Sequence, residues 1–476
     1  MTRYITPLNL QAVLVHLRLV LRLLGLLLIP SIVVALSFRE YWQAVIFAGL
    51  SAATLAQGFL GVPSPRPDLE LKEALVVTAL AYLLFSLLGG LLFLTEAPYI
   101  DGVFESMSGF TTTGLSTLEV TQLPISLLFF RASAQWVGGA GIIVITLVVL
   151  SGPGRASFQL YGAEFGQPNL VGSVIATARI VMITYAALTA LGYLVFLAVG
   201  MGPFDSLLHI LSSVSTGGLS PHRDSIGHYP QPQVQAAVVV FMILGAIAFP
   251  LYYLARRQGP KRLLEDLQLR YLLFIIVAGS VVFFVTLGPH LGHLLPAIFQ
   301  ATSAITGTGF STVDIVDWSE GSQSLAILMM LVGGSAGSTA GGIKLLRLII
   351  LLHLAGWLLA RAMLPQEARL PPLRYGSHTI SNTELKEIIG FLLLFLLVFT
   401  LAGLALTLSG ASALSALFES ASALGTVVLS SGITHAGAAL WIKILLIFEM
   451  WVGRLELLPA VVLLYPRTWS LRRRTQ

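Results

Sequence analysis

With 476 residues, of which 56% are hydrophobic and 10% charged, the chain lies far from soluble proteins, where about a quarter of residues are charged. A mean hydropathy of +0.87 agrees, and together these exclude an ordinary soluble enzyme or binding module. The net charge of +5 would fit nucleic acid in a soluble chain, but membrane proteins collect basic residues in cytoplasmic loops, and no nucleic-acid partner is expected. With no cysteines, disulfides and thiolate metal sites are excluded and the redox compartment stays open.

In chain order, apolar runs at about 17–38 and 41–60 form a hairpin ending at the turn-rich residues 61–67. The first run is long, has no small-residue cleavage site and is followed at once by a second, so it is a retained span and not a signal peptide. From Leu71 the pattern becomes regular: a span, a short half-apolar segment, a Thr/Gly stretch and another span. The leading spans fall at about 74–94, 175–199, 271–287 and 388–408, and the short segments at 100–110, 204–214, 294–305 and 413–424. Trailing spans follow at about 126–150, 234–254, 325–359 and 438–464, the third too long for one straight span. Hydropathy thus predicts ten spans and four half-spans in five segments: a hairpin at 1–66, then units at 67–165, 166–262, 263–375 and 376–476.

The Thr/Gly stretches are imperfect copies of one another. The first, Phe104-Glu105-Ser106-Met107-Ser108-Gly109-Phe110-Thr111-Thr112-Thr113-Gly114, shares its Phe-Glu-Ser opening with Phe418-Glu419-Ser420. Aligned, the copies place Thr112-Thr113-Gly114, Thr216-Gly217-Gly218, Gly307-Thr308-Gly309 and Thr426-Val427-Val428 in register. They recur at intervals of about 90 to 120 residues, longer than solenoid units and long enough for two membrane spans.

A half-span of about eleven residues cannot cross a bilayer that needs about 20 helical residues, so it enters and leaves on one side. Non-helical backbone at membrane depth survives only inside protein or beside water, and the four stretches are expected to line a wet passage. Rings of backbone carbonyls replace the hydration shell of a cation without fixed charge. Glycine suits such a ring because it tolerates positive φ. The alternative is that small residues merely let helices pack closely, which fits one such stretch better than four in phase. Glu105, His209, Gln300 and Glu419 share one position of the repeat. As intramembrane polar groups they are either functional or ties between a half-helix and its neighbour.

In the third trailing span Gly333, Gly334, Gly337, Gly341 and Gly342 lie close together, and at about 1 kcal/mol each relative to alanine they favour a local break. A phosphate-binding loop is excluded, because Lys344 does not directly follow a glycine and no Ser or Thr follows it. Arg155, Arg256, Arg257, Lys261, Arg262, the segment 361–374 and Arg467, Arg472, Arg473 and Arg474 fall on one side. Glu96, Asp101, Glu119, Asp314, Asp317 and Glu320 fall on the other. The positive-inside rule then makes both termini cytoplasmic and the filter stretches open outward.

These stretches, with Gln135-Trp136-Val137-Gly138-Gly139-Ala140-Gly141-Ile142, Gly333-Gly334-Ser335-Ala336-Gly337-Ser338-Thr339-Ala340-Gly341-Gly342-Ile343-Lys344 and Gly453-Arg454-Leu455-Glu456, resemble the TrkH/TrkG/KtrB family of potassium uptake subunits. The resemblance runs from Leu71 to the end, and the leading hairpin places the chain nearer the TrkH branch. It implies an all-α integral membrane fold of four pseudo-fourfold helix, pore-loop, helix repeats around a central pore, in a bacterial inner membrane. It further implies a homodimer with one pore per chain, K+ held at the filter carbonyls, and a cytoplasmic TrkA-like ring that carries the regulating nucleotide, ATP/ADP or NAD/NADH. No cofactor is expected on this chain. The resemblance makes Gly333, Gly334, Gly337, Ser338, Gly341, Gly342 and Lys344 a gating loop and places Arg454 in the path below the filter. A salt bridge of Arg454 with Glu449 or Glu456 is the other reading.

One departure concerns Val428, where the family has glycine. Valine is stiff at χ1 and disfavours positive φ, so its carbonyl is expected to leave the ring and potassium preference over sodium to weaken. The chain is expected to conduct potassium, or potassium and sodium; the alternative is a secondary transporter coupling K+ entry to H+ or Na+. Catalytic carboxylate pairs are missing from the spans, so no enzyme activity is expected.

Overall fold

The computed structural model describes residues 8–60, 69–150, 174–315, 318–365, 371–376 and 378–469. Arg155, Asp317, Arg472, Arg473, Arg474 and the turn at 61–67 lie outside them. The described chain is almost wholly helical. Helices α1 (Leu10–Ser37) and α2 (Tyr41–Phe59) form the leading hairpin. The first unit holds α3 (Leu71–Gly90), the short α4 (Tyr99–Phe110) and α5 (Ile125–Leu150). The second has α6 (Val174–Ala198), short α7 (Pro203–Val214), α8 (Pro232–Ala246) and α9 (Phe249–Gln258), followed by the connecting α10 (Lys261–Glu265). The third has α11 (Leu267–Thr286), short α12 (Leu294–Thr306), α13 (Glu320–Val332) and α14 (Leu345–Met363). After a two-residue antiparallel pair, Arg374–Tyr375 with His378–Thr379, come α15 (Asn382–Thr407), short α16 (Ala413–Gly425), α17 (Leu440–Arg454) and α18 (Leu458–Leu464).

The hairpin packs on α3 and α5. Between α1 and α2, the Glu40 carboxylate accepts from the first free N–H groups of α5, those of Ile125 at 2.7 Å and Ser126 at 3.0 Å. A distant residue thereby caps a helix whose own sequence lacks a capping side chain. The short helices are the most enclosed elements. Every residue of α4 from Asp101 to Phe110 is buried, as is every residue of α7 from Leu208 to Val214. Apolar helices around them face outward with exposed Leu, Val and Phe side chains, as a lipid-facing surface requires.

Six described helices are singly long and apolar enough to cross a membrane, and the pair α8 and α9, bent by 91°, makes a seventh. The expectation of ten full spans falls short partly because trailing helices break. Breaks beyond the third unit were not expected from hydropathy. α8 stops at Ile247 and Ala248, and α17 ends before Glu456 and Leu457, which take φ of 52° and 66°. Proline explains both: Pro250 and Pro459 begin the following helices, where a ring without N–H would clash inside a continuous helix. In the third unit residues 333–344 are non-helical between α13 and α14.

The breaks fit one another. The Ser335 N–H donates to the Ala246 carbonyl at 3.0 Å, and the Phe249 N–H donates to the Gly337 carbonyl at 3.1 Å. Groups freed by the bend in the second unit are therefore satisfied by the loop of the third, which settles non-helical backbone inside protein.

Candidate cation pathway

Each short helix runs into a stretch in which left-handed residues alternate with others. Thr112 and Gly114 take φ of 53° and 76°, Thr216 and Gly218 51° and 63°, Gly307 and Gly309 71° and 74°, and Thr426 and Val428 56° and 69°. An extended strand points successive carbonyls to opposite sides; alternation with the left-handed region turns them to one side. The N–H groups account for the other side. Thr113 and Gly114 donate to the Ser108 carbonyl, Gly217 and Gly218 to that of Ser212, Gly309 to that of Ser303 and Val427 to that of Ser422. The otherwise unpaired carbonyls at each helix end thus take up the strand N–H groups, which leaves strand carbonyls such as those of Thr113 and Thr308 for a ligand, while those of Gly217 and Val427 also accept from Gln135 and the Leu429 N–H.

The four strands close a ring. A Cβ added at Gly114 would collide with the carbonyl oxygen of Gly217, one added at Gly218 with that of Thr308, and one added at Gly309 with that of Val427. Each contact falls one residue ahead of the next unit's ring member, and the Val428 side chain against Gly114 closes the fourth unit onto the first. Val428 takes the same left-handed backbone as the glycines. The expected steric refusal is overridden: its φ follows the glycine path, at the roughly 1–2 kcal/mol an L-residue pays there. Left-handed Thr112, Thr216, Thr426 and Val428 are all β-branched and all in this ring, and strain of this kind gathers at functional sites.

Behind the ring stand four clamps in register. Glu105 accepts from the Ser116 hydroxyl at 2.7 Å and the Thr117 N–H at 2.8 Å. His209 pairs with the Ser220 hydroxyl at 3.1 Å, and the Gln300 amide donates to Ser311 and Thr312. Glu419 accepts from Ser430, Ser431 and Thr434. In every unit the partner hydroxyl lies eleven residues on, so each polar residue ties its short helix to its own outgoing strand. Glu105 also pairs with the buried Arg131 of α5 at 2.9 Å. Of the two readings open for these residues, the geometry displays the tie. Replacing Glu419 by leucine would orphan the N–H groups of Ser431 and Thr434, at roughly 1–3 kcal/mol each. The expected result is a lower melting temperature of the detergent-solubilised protein, and an unchanged one would contradict the clamp.

The loop at 333–344 lies against the inner end of the ring strands. A Cβ on Gly341 would collide with the Gly425 carbonyl and the Thr426 hydroxyl. The Thr339 hydroxyl donates to the carbonyls of Val214 and Gly245, each at 3.0 Å. Arg454 is buried and donates to the Thr339 carbonyl at 2.7 Å and the Gly138 carbonyl at 2.9 Å. Its acidic neighbours are engaged elsewhere, Glu456 with Arg347 at 2.6 Å and Glu449 with Ser420 at 2.5 Å. Arg454 therefore ties the loop to α5 without a salt bridge to either. The Lys344 ammonium reaches back to the Ala340 carbonyl.

Comparison with known proteins decides the family: TrkH, described as cation transport protein, matches residues 43–470. The chain belongs to the TrkH family. It is 31% identical to the Trk system potassium uptake protein TrkH of Halomonas elongata, over 95% of this chain and 99% of that protein. The Escherichia coli K12 protein of the same name is 30% identical over the same shares. The crystal structure of the potassium transporter TrkH from Vibrio parahaemolyticus superposes with a TM-score of 0.84 at 27% identity, covering 97% of this chain and 100% of that one. Membership of a cation transport family makes the chain a transport protein and not an enzyme.

All twelve residues predicted to bind the ion in this TrkH-family chain lie in the four strands, and the seven predicted loop residues lie within 333–344 with Arg454 against them. Gln135, part of a motif that carries the family resemblance but given no site role from sequence, donates its amide to the Gly217 carbonyl at 2.5 Å and accepts from the Leu219 N–H at 3.2 Å. The Gly217 carbonyl thus has a protein donor as well as its place in the ring. Gly138, Gly245 and Gly453 likewise had no role assigned from sequence; a Cβ at each would meet a carbonyl at the end of α4, α7 or α16. Their signal was present in three of the four units: a glycine of the trailing helix recurs about 30 residues beyond the short-helix end, where a small residue lets the two helices approach closely.

Proposed function

We propose that this chain is the ion-conducting transmembrane subunit of a potassium uptake system. The observation that carries it is the ring itself: four strands with alternating left-handed residues and N–H groups turned to serine carbonyls, which leaves carbonyl oxygens for a dehydrated cation. Relatives named as potassium uptake proteins supply the ion. In this reading Thr112, Thr113, Gly114, Thr216, Gly217, Gly218, Gly307, Thr308, Gly309, Thr426, Val427 and Val428 form the filter. The loop from Gly333 to Lys344, held by Arg454, is the gate beneath it.

The five segments of the sequence reading correspond to a hairpin and four pore-forming units. The protein sits in a bacterial inner membrane with both termini cytoplasmic, works as a homodimer and is controlled by a cytoplasmic TrkA-like ring that holds the nucleotide. Val428 weakens the preference for K+ over Na+. Liposomes holding purified protein, with imposed K+ or Na+ gradients and voltage clamped by ionophore, test the proposal. Flux follows the imposed gradient passively and prefers K+; uptake against the electrochemical gradient that needs a second ion would establish coupled transport instead.

A further inference from the structure

Among the ring members Val428 alone carries a side chain, and the structure shows where that side chain goes. A Cβ placed on Gly218 would stand 2.8 Å from Cγ2 of Val428, and one placed on Gly309 would stand 2.5 Å from Val428 Cβ. One placed on Gly114 would overlap Cγ2. Since a Cβ is a single carbon–carbon bond from its Cα, the Val428 side chain is in van der Waals contact with the backbone of all three other ring members. A group that touches the other three members of a four-membered ring lies across its centre. Burial agrees: Gly114, Gly218 and Gly309 are buried, whereas Val428 retains accessible surface, as a side chain projecting into an open passage does.

We infer that the Val428 isopropyl group is a size-discriminating constriction on the ion path, acting through its side chain and not through its backbone. The inference rests on the conduction reading and deepens it. The backbone at Val428 already follows the glycine path, so the loss of fourfold symmetry resides in the methyl groups. A methyl offers no lone pair to a cation that has left its water, and it removes room from the centre of the carbonyl ring. β-Branching leaves χ1 few choices, so the group stays in the passage. A larger cation needs more of that room than a smaller one, so the part of the barrier that the methyls add rises from Li+ to Cs+.

The parent, Val428→Ala and Val428→Gly are compared for Li+, Na+, K+, Rb+ and Cs+ flux in liposomes with equal amounts of inserted protein. Alanine keeps a side chain on left-handed backbone but loses both methyls, so the series separates methyl obstruction from backbone strain. The expected K+ flux rises from valine through alanine to glycine, by about tenfold over the series, the effect of lowering a barrier by ~1.4 kcal/mol. The gain grows from Li+ to Cs+. Alanine flux equal to the parent with a gain only for glycine would overturn the inference in favour of strain, and equal gains for all five ions would overturn size discrimination. Equal flux in all three proteins would overturn the constriction alone, while no flux in any would overturn the conduction reading and the constriction with it.

Discussion

Replacing Gly218 by alanine lowers cation flux by about ten- to a hundredfold while the protein still inserts. The added Cβ would collide with the Thr308 carbonyl, and φ at this position is 63°, where an L-residue costs roughly 1–2 kcal/mol. Outside the ring the strand backs onto buried residues of the short helices, so relief comes from moving the carbonyl away from its place in the ring. An interaction of that oxygen with a charged ligand is worth roughly 1.5–3 kcal/mol, and each ~1.4 kcal/mol is a tenfold change in rate. Gly114 is constrained in the same way, since its Cβ would meet the Gly217 carbonyl and the Val428 side chain; a bulky residue at either glycine abolishes uptake. Rubidium uptake into liposomes, normalised to inserted protein, checks this. Parental flux in Gly218→Ala would show that the ring does not coordinate the ion.

The second large effect concerns the loop. Deleting residues within 333–342 makes conduction independent of the proposed cytoplasmic partner, and Arg454→Ala raises flux without any such partner by at least about tenfold. Arg454 holds the loop through the Thr339 carbonyl and holds α5 through Gly138. Hydrogen bonds from a charged group contribute roughly 1.5–3 kcal/mol each, which sets the scale of the freed equilibrium. Because Arg454 is buried, a folding defect in its alanine variant would obscure the result. Thr339→Val gives a second route: it removes the hydroxyl that donates to Val214 and Gly245 while keeping the backbone carbonyl, and it too raises flux. Unchanged dependence on the partner in the deletion and in Thr339→Val would contradict a gate.

Which parts of this architecture are legible in the sequence follows from the range of the interactions. The short helices α4, α7, α12 and α16 end within a residue of their expected limits, because a half-apolar segment followed by Thr/Gly is a local signal read from hydropathy and backbone preference. The ring register is likewise local, since each strand is folded back on a serine of its own short helix. The bend after Ala246 and the break before Leu458 were hidden by unbroken hydropathy, although Pro250 and Pro459 marked them.

Three features depend on partners remote in sequence and could not be read from spacing. Gln135 reaches a strand of the second unit, Glu40 caps α5, and Arg454 finds carbonyls of the first and third units in place of its acidic neighbours. Val428 shows a different limit. Intrinsic preference argues against left-handed valine, but three glycine-path strands packed around it impose that backbone, and tertiary context decides.

On the proposed reading, the ring of Gly114, Gly218, Gly309 and Val428 holds a dehydrated monovalent cation. Anomalous diffraction from crystals of the Val428→Gly protein grown in rubidium salt tests it most directly, because rubidium mimics potassium and glycine leaves the ring centre open. Rubidium is expected on the ring axis, between strands of all four units. Rubidium confined to the outer vestibule or the protein surface, with none inside the ring, would contradict it.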